Sequence, residues 1–491
     1  MKLVDEQTMR QLDARTLAET ALRGSDLMQR TGEGIADALM RLAQLHHIEQ
    51  PTVLFFAGCG NNGGDAFVAA HVLHDQGWGV CCLIAGQPER LKAEALGAYK
   101  QAIKSGVEMV ACPEPADWSL EIDADILVDA LLGTGVKGEP YGVIATAIER
   151  IDQLADEHLI VSIDMPSAMR VRADLTLSLG LPKRALAQEE MAELCGRIEV
   201  IDIGIPVSFV EEADGTVEEL LVAQDVRTLF KRRLRRSHKG SYGHLLCVGG
   251  SYGMSGAISF AAQSGMRSGA GWVSVQTDAA VQSMVSIAVP EAMVSDRMPE
   301  RAADAVLIGP GMGRNETART RVLEALTSSE VPLVLDADAL TLLKDHLDSL
   351  EQAQRPIVIT PHPGEFATLF GIAVDEVEED RVAMARMAAM RLGVVVILKG
   401  VRSIIASPQG EIAINSTGNP GMASAGMGDL LAGLVGGLLA QRMPAFQAAC
   451  AAVWVHGMAG DIAAAHGAEQ SLIASDVLTS LPDAFRQVMP R

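Results

Sequence analysis

Basic residues are scarce in this chain. Its 491 residues carry 40 Lys and Arg against 62 Asp and Glu, a net charge of −22. Such a surface repels phosphate backbones and anionic lipid, so neither nucleic acid nor a membrane is expected as a partner. The seven cysteines (Cys59, Cys81, Cys82, Cys112, Cys195, Cys247, Cys450) are odd in number and show no CxxC spacing. Several stand in apolar runs, so they read as reduced core residues of a cytoplasmic protein, not as a disulfide framework or zinc site. No GxxxxGK[ST] loop occurs, which excludes a P-loop enzyme. Residues 1–30 lack the basic-then-apolar pattern of a secretory leader, and the apolar run after Asp429 is too short to span a bilayer.

Length sets the next bound. A single core rarely grows past roughly 300 residues, so two domains are expected. The acidic run EEADGTVEEL (Glu211 to Leu220) reads as a linker and divides the chain into residues 1–215 and 225–491. Most of the 47 glycines follow apolar runs, as βα turns require. Both halves keep that rhythm. The expected fold class is therefore α/β, two doubly wound domains whose strand ends share a ligand-binding edge.

In the first half, Met1 to Leu45 has the pattern of amphipathic helices. An apolar strand from Thr52 then runs into CGNNGGDAF, where Gly58, Gly60 and Gly63 satisfy GxGxxG. As a dinucleotide fingerprint this is weak, because the next strand, VCCLIAG, ends in Gly86-Gln87-Pro88 and not in an acid for the ribose. Its distinctive part is Asn61-Asn62-Gly63-Gly64-Asp65, two carboxamides and an acid at a helix entrance. Later strands bring up Asp129, followed by the loop Gly133-Thr134-Gly135, and Asp164 with Pro166 and Ser167. LTLSLGLPK and RIEVIDIGIP close the half as strands. Singly, each polar residue is a turn or cap residue; repeated after successive strands, Asn61, Asn62, Asp65, Asp129, Asp164 and Ser167 can converge on one edge. Uncharged oxygens with a single carboxylate suit a monovalent cation better than zinc.

The basic run KRRLRRSHKG (Lys231 to Gly240) reads mainly as solvated surface, with docking of substrate phosphates as the alternative. From His244 the strand–helix rhythm restarts. AVLIGPGMG (Ala305 to Gly313) ends in a glycine loop, PLVLDADAL brings Asp336 and Asp338 to a strand end, and VVVILKG brings Lys399 and Gly400. Pro361 and Pro363 are expected to clamp His362 in an extended loop. SIIASPQGEIAI reads as a hairpin.

The most telling stretch is NSTGNPGMASAGMGDLLAGLVGGLLA, Asn415 to Ala440. Apolar residues at helical spacing from Leu430 to Leu439 predict a buried helix beginning near Gly428. Its free N–H groups face a glycine loop, which is an anion site. Asp429 beside a bound phosphate can take a proton from a hydroxyl that attacks it. The plainer alternative is a glycine turn with an Asp N-cap.

With these residues together, the chain resembles the bifunctional NAD(P)H-hydrate repair enzymes, in which a hydrate epimerase domain precedes an ADP/ATP-dependent hydrate dehydratase. The amino-terminal likeness rests on Asn61 to Asp65, Asp129 with Gly133-Thr134-Gly135, and Ser162-Ile163-Asp164-Met165-Pro166-Ser167. The carboxy-terminal likeness rests on Gly309-Pro310-Gly311-Met312-Gly313, Asp336-Ala337-Asp338, Thr360 to Glu365, Lys399-Gly400 and Gly426-Met427-Gly428-Asp429. The resemblance implies a Rossmann-like epimerase fold and a ribokinase-like dehydratase fold. It implies that Asn62, Asp129 and Ser167 hold K⁺. Asn61, Asn62, Gly63, Gly64, Asp65, Gly133, Thr134, Gly135, Val136, Lys137, Gly138, Glu139, Tyr141 and Asp164 would line the hydrate site. In the second domain Ala257, Gly313, His362 and Asp429 would meet the hydrate. Lys399, Gly400, Val401, Arg402, Ser403 and Gly428 would meet the adenine nucleotide, with Mg²⁺ bridging its phosphates. Two departures stand out: Ala168 follows Ser167 where a glycine and a longer loop are usual, and Ala425 stands where a glycine is common.

The expected substrates are the hydrates NADHX and NADPHX, with ADP the expected phosphoryl donor over ATP, and a homo-oligomer the expected assembly. Asp429 and Asp164 are the expected catalytic residues, one deprotonating the C6 hydroxyl for phosphorylation and elimination, the other moving protons as the ring opens and closes. Competing readings are a kinase of a small hydroxylated metabolite, and a first domain that only binds or scaffolds.

Overall fold

The apolar run from Thr52 forms β1 (Thr52–Ala57), and its alternate residues enter two different cores. Val53, Phe55 and Ala57 pack with Ile35, Leu39 and Phe67 of the helices Gly24–Leu45 and Asn61–Asp75. Leu54 and Phe56 pack on the other face with Trp118, Ile148 and Ile151, and the Phe56 and Trp118 rings stack at 5.4 Å. A strand buried on both faces belongs in the middle of a parallel sheet. That sheet adds β2 (Gly79–Ile84), β3 (Glu108–Ala111), β4 (Ile126–Ala130), β5 (Leu159–Ile163), β6 (Leu175–Leu179) and β7 (Arg197–Ile201). All pairs are parallel, in the order β3-β2-β1-β4-β5-β6-β7. The order reverses between β1 and β4, where Phe56 pairs with Asp129, so a crevice opens there at the strand ends.

The structure, a computed structural model, describes residues 1–134, 138–212, 218–299 and 301–490. It divides into two compact units, Met1–Thr216 and Val217–Arg491. In the second unit ten strands form one sheet: β8 (Glu218–Leu221), β9 (His244–Val248), β10 (Trp272–Gln276), β11 (Met293–Ser295), β12 (Ala305–Ile308), β13 (Leu333–Leu335), β14 (Ile357–Ile359), β15 (Val395–Leu398), β16 (Ile404–Ala406) and β17 (Ile412–Asn415). Their order is β11-β10-β9-β12-β13-β14-β15-β16-β17-β8, with β16 antiparallel to both neighbours as the hairpin pattern predicts. β8 departs from expectation. Read as the end of an acidic linker, Glu218–Leu221 is an edge strand parallel to β17, with Leu220 and Leu221 buried.

The predicted glycine-loop helix is present as Met427–Ala440, nearly all of it buried. It lies against the helix Ser255–Arg267 at very short range. A Cβ at Gly433 would collide with the Ala261 carbonyl, and one at Gly437 with Ser268. These two glycines are therefore packing residues and not part of the anion loop. Among the described residues the helix Ala445–His466 is long and apolar enough to cross a membrane, but 83% of its apolar window is buried inside the unit. The basic run Lys231 to Arg236 is exposed throughout, as a solvated surface should be. All seven cysteines are free.

Candidate active sites

In the first unit, the chain leaves β1 through Gly58, where a Cβ would strike the Leu131 carbonyl. That close approach brings the start of the helix Asn61–Asp75 to the end of β4. Asn62 Nδ2 donates to the Ile163 carbonyl at 3.1 Å, and its Oδ1 lies where a Gly133 Cβ would be 2.7 Å away. Asp129 is fully buried. Its carboxylate accepts from Ser167 Oγ (2.6 Å), Ser167 N (2.8 Å), Ser162 Oγ (3.0 Å) and Leu131 N (3.3 Å). Burial raises the Asp129 pKa, with those hydrogen bonds opposing. Ser167 Oγ also accepts from Leu132 N at 2.9 Å. Asp164 is buried at a left-handed φ of 69°, accepts from Thr134 N at 3.3 Å and forms an ion pair with Lys183.

The structure thus brings together Asn62, Asp129, Gly133, Thr134, Asp164 and Ser167. Gly63, Gly64 and Asp65 are buried in the helix behind them, whereas Asn61 is exposed. Gly138 and Glu139 are exposed, Glu139 pairs with Arg170, and Tyr141 is 87% exposed. Gly135, Val136 and Lys137 lie outside the described residues. Pattern reading gave Lys183 no role, since it lies in no glycine loop, and gave Ser162 only as part of a motif.

In the second unit, Asp336 at the end of β13 is buried and accepts from Thr360 Oγ1 (2.6 Å) and Lys399 Nζ (3.1 Å). Glu365 lies 3.5 Å from the same ammonium. Burial disfavours the charged amine, but the fields of Asp336 and Glu365 outweigh it, and the Lys399 pKa lies above its ordinary value. A Cβ at Gly428 would be 3.2 Å from Lys399 Nζ, so the strand-end lysine and the glycine-loop helix meet. Asp429 is the third residue of that helix, whose N-cap is Gly426 in the left-handed region. Its carboxylate makes no capping hydrogen bond, so the N-cap alternative fails. Burial, with the nearby Asp336 carboxylate adding and the Lys399 ammonium opposing, pushes Asp429 up to about 7.

His362 is extended between the two prolines, as expected (φ −84°, ψ 167°), and it is also the N-cap of the helix Pro363–Phe370, with Pro363 at the first helical position. Its Nδ1 accepts from Gly364 N (3.0 Å) and Glu365 N (3.3 Å), while Nε2 lies 3.6 Å from Glu365. Gly313 N donates to Asp338 Oδ2 at 2.9 Å, and Ala257 lies against Gly311 of the same loop. The turn Lys399 to Ser403 is closed by Ser403 Oγ on the Gly400 carbonyl (3.0 Å) and tied down by Arg381, which donates to Val401 O (2.6 Å) and Leu398 O (3.3 Å). Arg402 instead donates to Ser416 O, and Val401 is half exposed. Arg381 opens the helix Arg381–Leu392, with no signal in the sequence.

Two protein families match successive parts of the chain. Residues 24–185 match the YjeF-related protein N-terminus, and residues 245–482 match NAD(P)H-hydrate dehydratase. The bifunctional NAD(P)H-hydrate repair enzyme Nnr of Moorella thermoacetica is 35% identical over 99% of this chain and 97% of its own length. That of Coxiella burnetii is 36% identical over 98% of each. This chain belongs to the bifunctional NAD(P)H-hydrate repair enzyme family. Among solved structures, the ADP/ATP-dependent NAD(P)H-hydrate dehydratase from Bacillus subtilis, co-crystallised with ATP and Mg²⁺, is 31% identical with a TM-score of 0.51, over 55% of this chain and 98% of that one. A ribokinase-like superfamily protein from Enterococcus faecalis gives 28% and 0.50, over 56% and 97%. The second unit accordingly has the ribokinase-like fold.

In this repair-enzyme chain the two alanine departures differ physically. Ala425 is exposed and outside the left-handed region, so its methyl group is tolerated. Ala168 has φ 54°, ψ 18°, a conformation that costs a side-chain-bearing residue about 1–2 kcal/mol. Ala168→Gly is expected to stabilise the first unit by about 1 kcal/mol, less a little for the looser unfolded chain. A calorimetric melt with two resolved transitions checks this: the first unit's transition moves up and the second's stays.

Proposed function

We propose that the chain repairs hydrated nicotinamide dinucleotides, epimerising R and S NAD(P)H hydrates in the first unit and dehydrating the S form in the second. The carrying observation is Asp429, an uncapped and half-buried carboxylate at a helix start, facing a lysine ammonium in a loop built for phosphate. The hydroxyl on C6 of the hydrated ring is a poor leaving group. Asp429 takes its proton as the hydroxyl attacks the terminal phosphoryl of the nucleotide. The helix N–H groups and Lys399 stabilise the charge on the transferring group. The nucleotide departs one phosphate shorter with the electrons of its P–O bond; the phosphate then leaves C6 with the C–O electron pair, C5 gives its proton to water, and the C5=C6 double bond returns.

Asp336, Glu365 and Asp429 surround one ammonium, so the site is anionic before a nucleotide arrives. Mg²⁺ held on the nucleotide phosphates offsets that repulsion and fits the site in this role. Gly428 and the turn Lys399 to Ser403 hold the nucleotide, ADP in preference to ATP. Ala257, Gly313 and His362 hold the hydrate.

In the first unit Asn62, Asp129 and Ser167 hold K⁺. Asp129 fits a cation because it is a fully buried carboxylate whose burial opposes its charge, among uncharged oxygens. Asn61 to Asp65, Gly133 to Glu139, Tyr141 and Asp164 receive the hydrate.

The test is a mixture of R and S NADH hydrate with Mg²⁺, K⁺ and either ADP or ATP, followed by the return of dihydronicotinamide absorbance. Complete recovery is expected, faster with ADP. Recovery that stops at the S fraction, beyond slow spontaneous exchange, would remove the epimerase. A stable phosphorylated product without ring restoration would make the second unit a small-metabolite kinase.

A further inference from the structure

Asp164 and three other ionisable groups, Lys183, Asp65 and the half-buried Asp13, form one cluster, and the glycine-loop motifs account for only two of the four. Lys183, four residues beyond β6, is 2% exposed. Its ammonium pairs with Asp164 and donates to Leu179 O (2.8 Å) and Ser178 Oγ (3.4 Å), which uses all three of its protons. The backbone beside it is pinned to the amino terminus, with Val4 N donating to Pro182 O and Arg184 N to Val4 O. That pairing sets the helix Glu6–Glu19 so that Asp13 faces the cluster. Asp13 Oδ1 is buried and accepts no hydrogen bond. Asp65, on the helix Asn61–Asp75, is 6% exposed.

Three carboxyls and one ammonium cannot all be charged here. A buried carboxylate without a donor is strongly disfavoured, while one paired with an ammonium is not. Burial pushes Asp13 up to about 6, with Lys183 opposing and Asp164 adding. Asp65 is raised well above the usual range by burial first, then by Asp164 and Asp13.

We propose that Lys183 is the positioning residue of the epimerase site: its buried ammonium, anchored on Leu179 O and Ser178 Oγ, holds the Asp164 carboxylate in place as the base, with Asp65 as the acid. This rests on the reading of the first unit as a hydrate epimerase, and it gives that reaction both a base and an acid. Asp164 takes the proton of the C6 hydroxyl. The C6=O bond forms as the C6–N1 bond breaks, its electron pair goes to N1, and N1 takes the proton held by Asp65. Rotation about C5–C6 exposes the other face of the aldehyde. Ring closure then returns one proton to Asp65 from N1 and one to the new hydroxyl from Asp164, so nothing is consumed. The Asp13 carboxylate adds its field to that of Asp164 in raising the Asp65 pKa.

The test uses the full chain, with dehydration of the S hydrate in the second unit as an internal control of folding. Lys183→Met is expected to lower the epimerisation kcat by about 10²-fold or more while KM stays within a few-fold, and to move the acid limb of its pH profile upward. The double variant Asp164→Asn/Lys183→Met should be no slower than Asp164→Asn, because the lysine acts through that carboxylate. Losses that multiply in the double variant, or a Lys183→Met rate near the parent's, would overturn the assignment. Carboxyl ¹³C NMR of aspartate-labelled protein is independent of turnover. At about pH 5.5, where ordinary aspartates are ionised, two protonated carboxyls are expected, one lost in Asp13→Asn and one in Asp65→Asn. Finding both ionised would overturn the charge pattern even if epimerisation is normal. The predicted NMR pattern in a protein that does not epimerise would instead remove the functional reading and leave the cluster standing.

Discussion

Asp429→Asn is expected to slow ring restoration by about 10²- to 10⁴-fold while nucleotide affinity changes by no more than a few-fold. The asparagine keeps the shape and the helix, because the native carboxylate caps nothing. What it removes is the base. Burial, with Asp336 adding, holds Asp429 up at about 7, so the ionised form that accepts the hydroxyl proton appears as pH rises through that value. The parent's kcat should therefore climb to about pH 7 and level off above it. Stability runs the other way. The folded pKa lies above the unfolded value, so the folded state binds the extra proton, and Asp429 costs stability progressively as pH rises from about 4 to about 7. Asp429→Asn should remove that slope. Urea midpoints of the second unit at pH 4 and pH 8 check it, with the variant more stable than the parent at pH 8 and little different at pH 4. Normal turnover in this variant would take Asp429 out of the chemistry.

What pattern reading reached, and what it missed, follows from range along the chain. The strand ends carrying Asp129, Asp164, Asp336 and Lys399 were legible because a parallel sheet with both faces covered needs apolar runs, each closed by a turn, and places the ends on one edge. The helix at Asp429 was legible from its apolar spacing. The missed groups act across elements. Lys183 finds Asp164 across β6, Arg381 clamps the turn at Gly400 from a helix, and Asp13 arrives on the amino-terminal helix. Each sits in a stretch whose pattern says only helix or strand end. β8 was misread because Glu218 and Glu219 make its exposed side look like a linker, and its partner β17 lies far along the chain. The tight glycines at Gly433 and Gly437 resemble phosphate-loop glycines in sequence and serve helix contact in space.

Lys399→Met should weaken Mg²⁺-nucleotide binding by about 10²-fold and shift the pH profile of the remaining turnover upward. The first effect follows from location. The Lys399 ammonium lies beside Gly428 at the mouth of the helix, and without it a phosphate meets the dipole of the helix together with three unopposed carboxyls, Asp336, Glu365 and Asp429. A charge-assisted phosphate contact is worth about 1.5–3 kcal/mol, which sets the scale of the loss. The second effect separates this lysine from a simple phosphate clamp. Its field opposes the rise in the Asp429 pKa, so removing it must drive that pKa above 7 and move the rising limb of kcat with it. The variant also leaves Asp336 buried with the Thr360 hydroxyl as its remaining side-chain donor, so the second unit loses stability and the assays belong at low temperature. Calorimetric titration with ATP and Mg²⁺ gives the affinity, and single-turnover rates across pH give the limb. Lost affinity with an unmoved limb would mean that Lys399 binds phosphate but does not tune the base. An unmoved affinity would mean the nucleotide lies elsewhere than on the Gly428 helix.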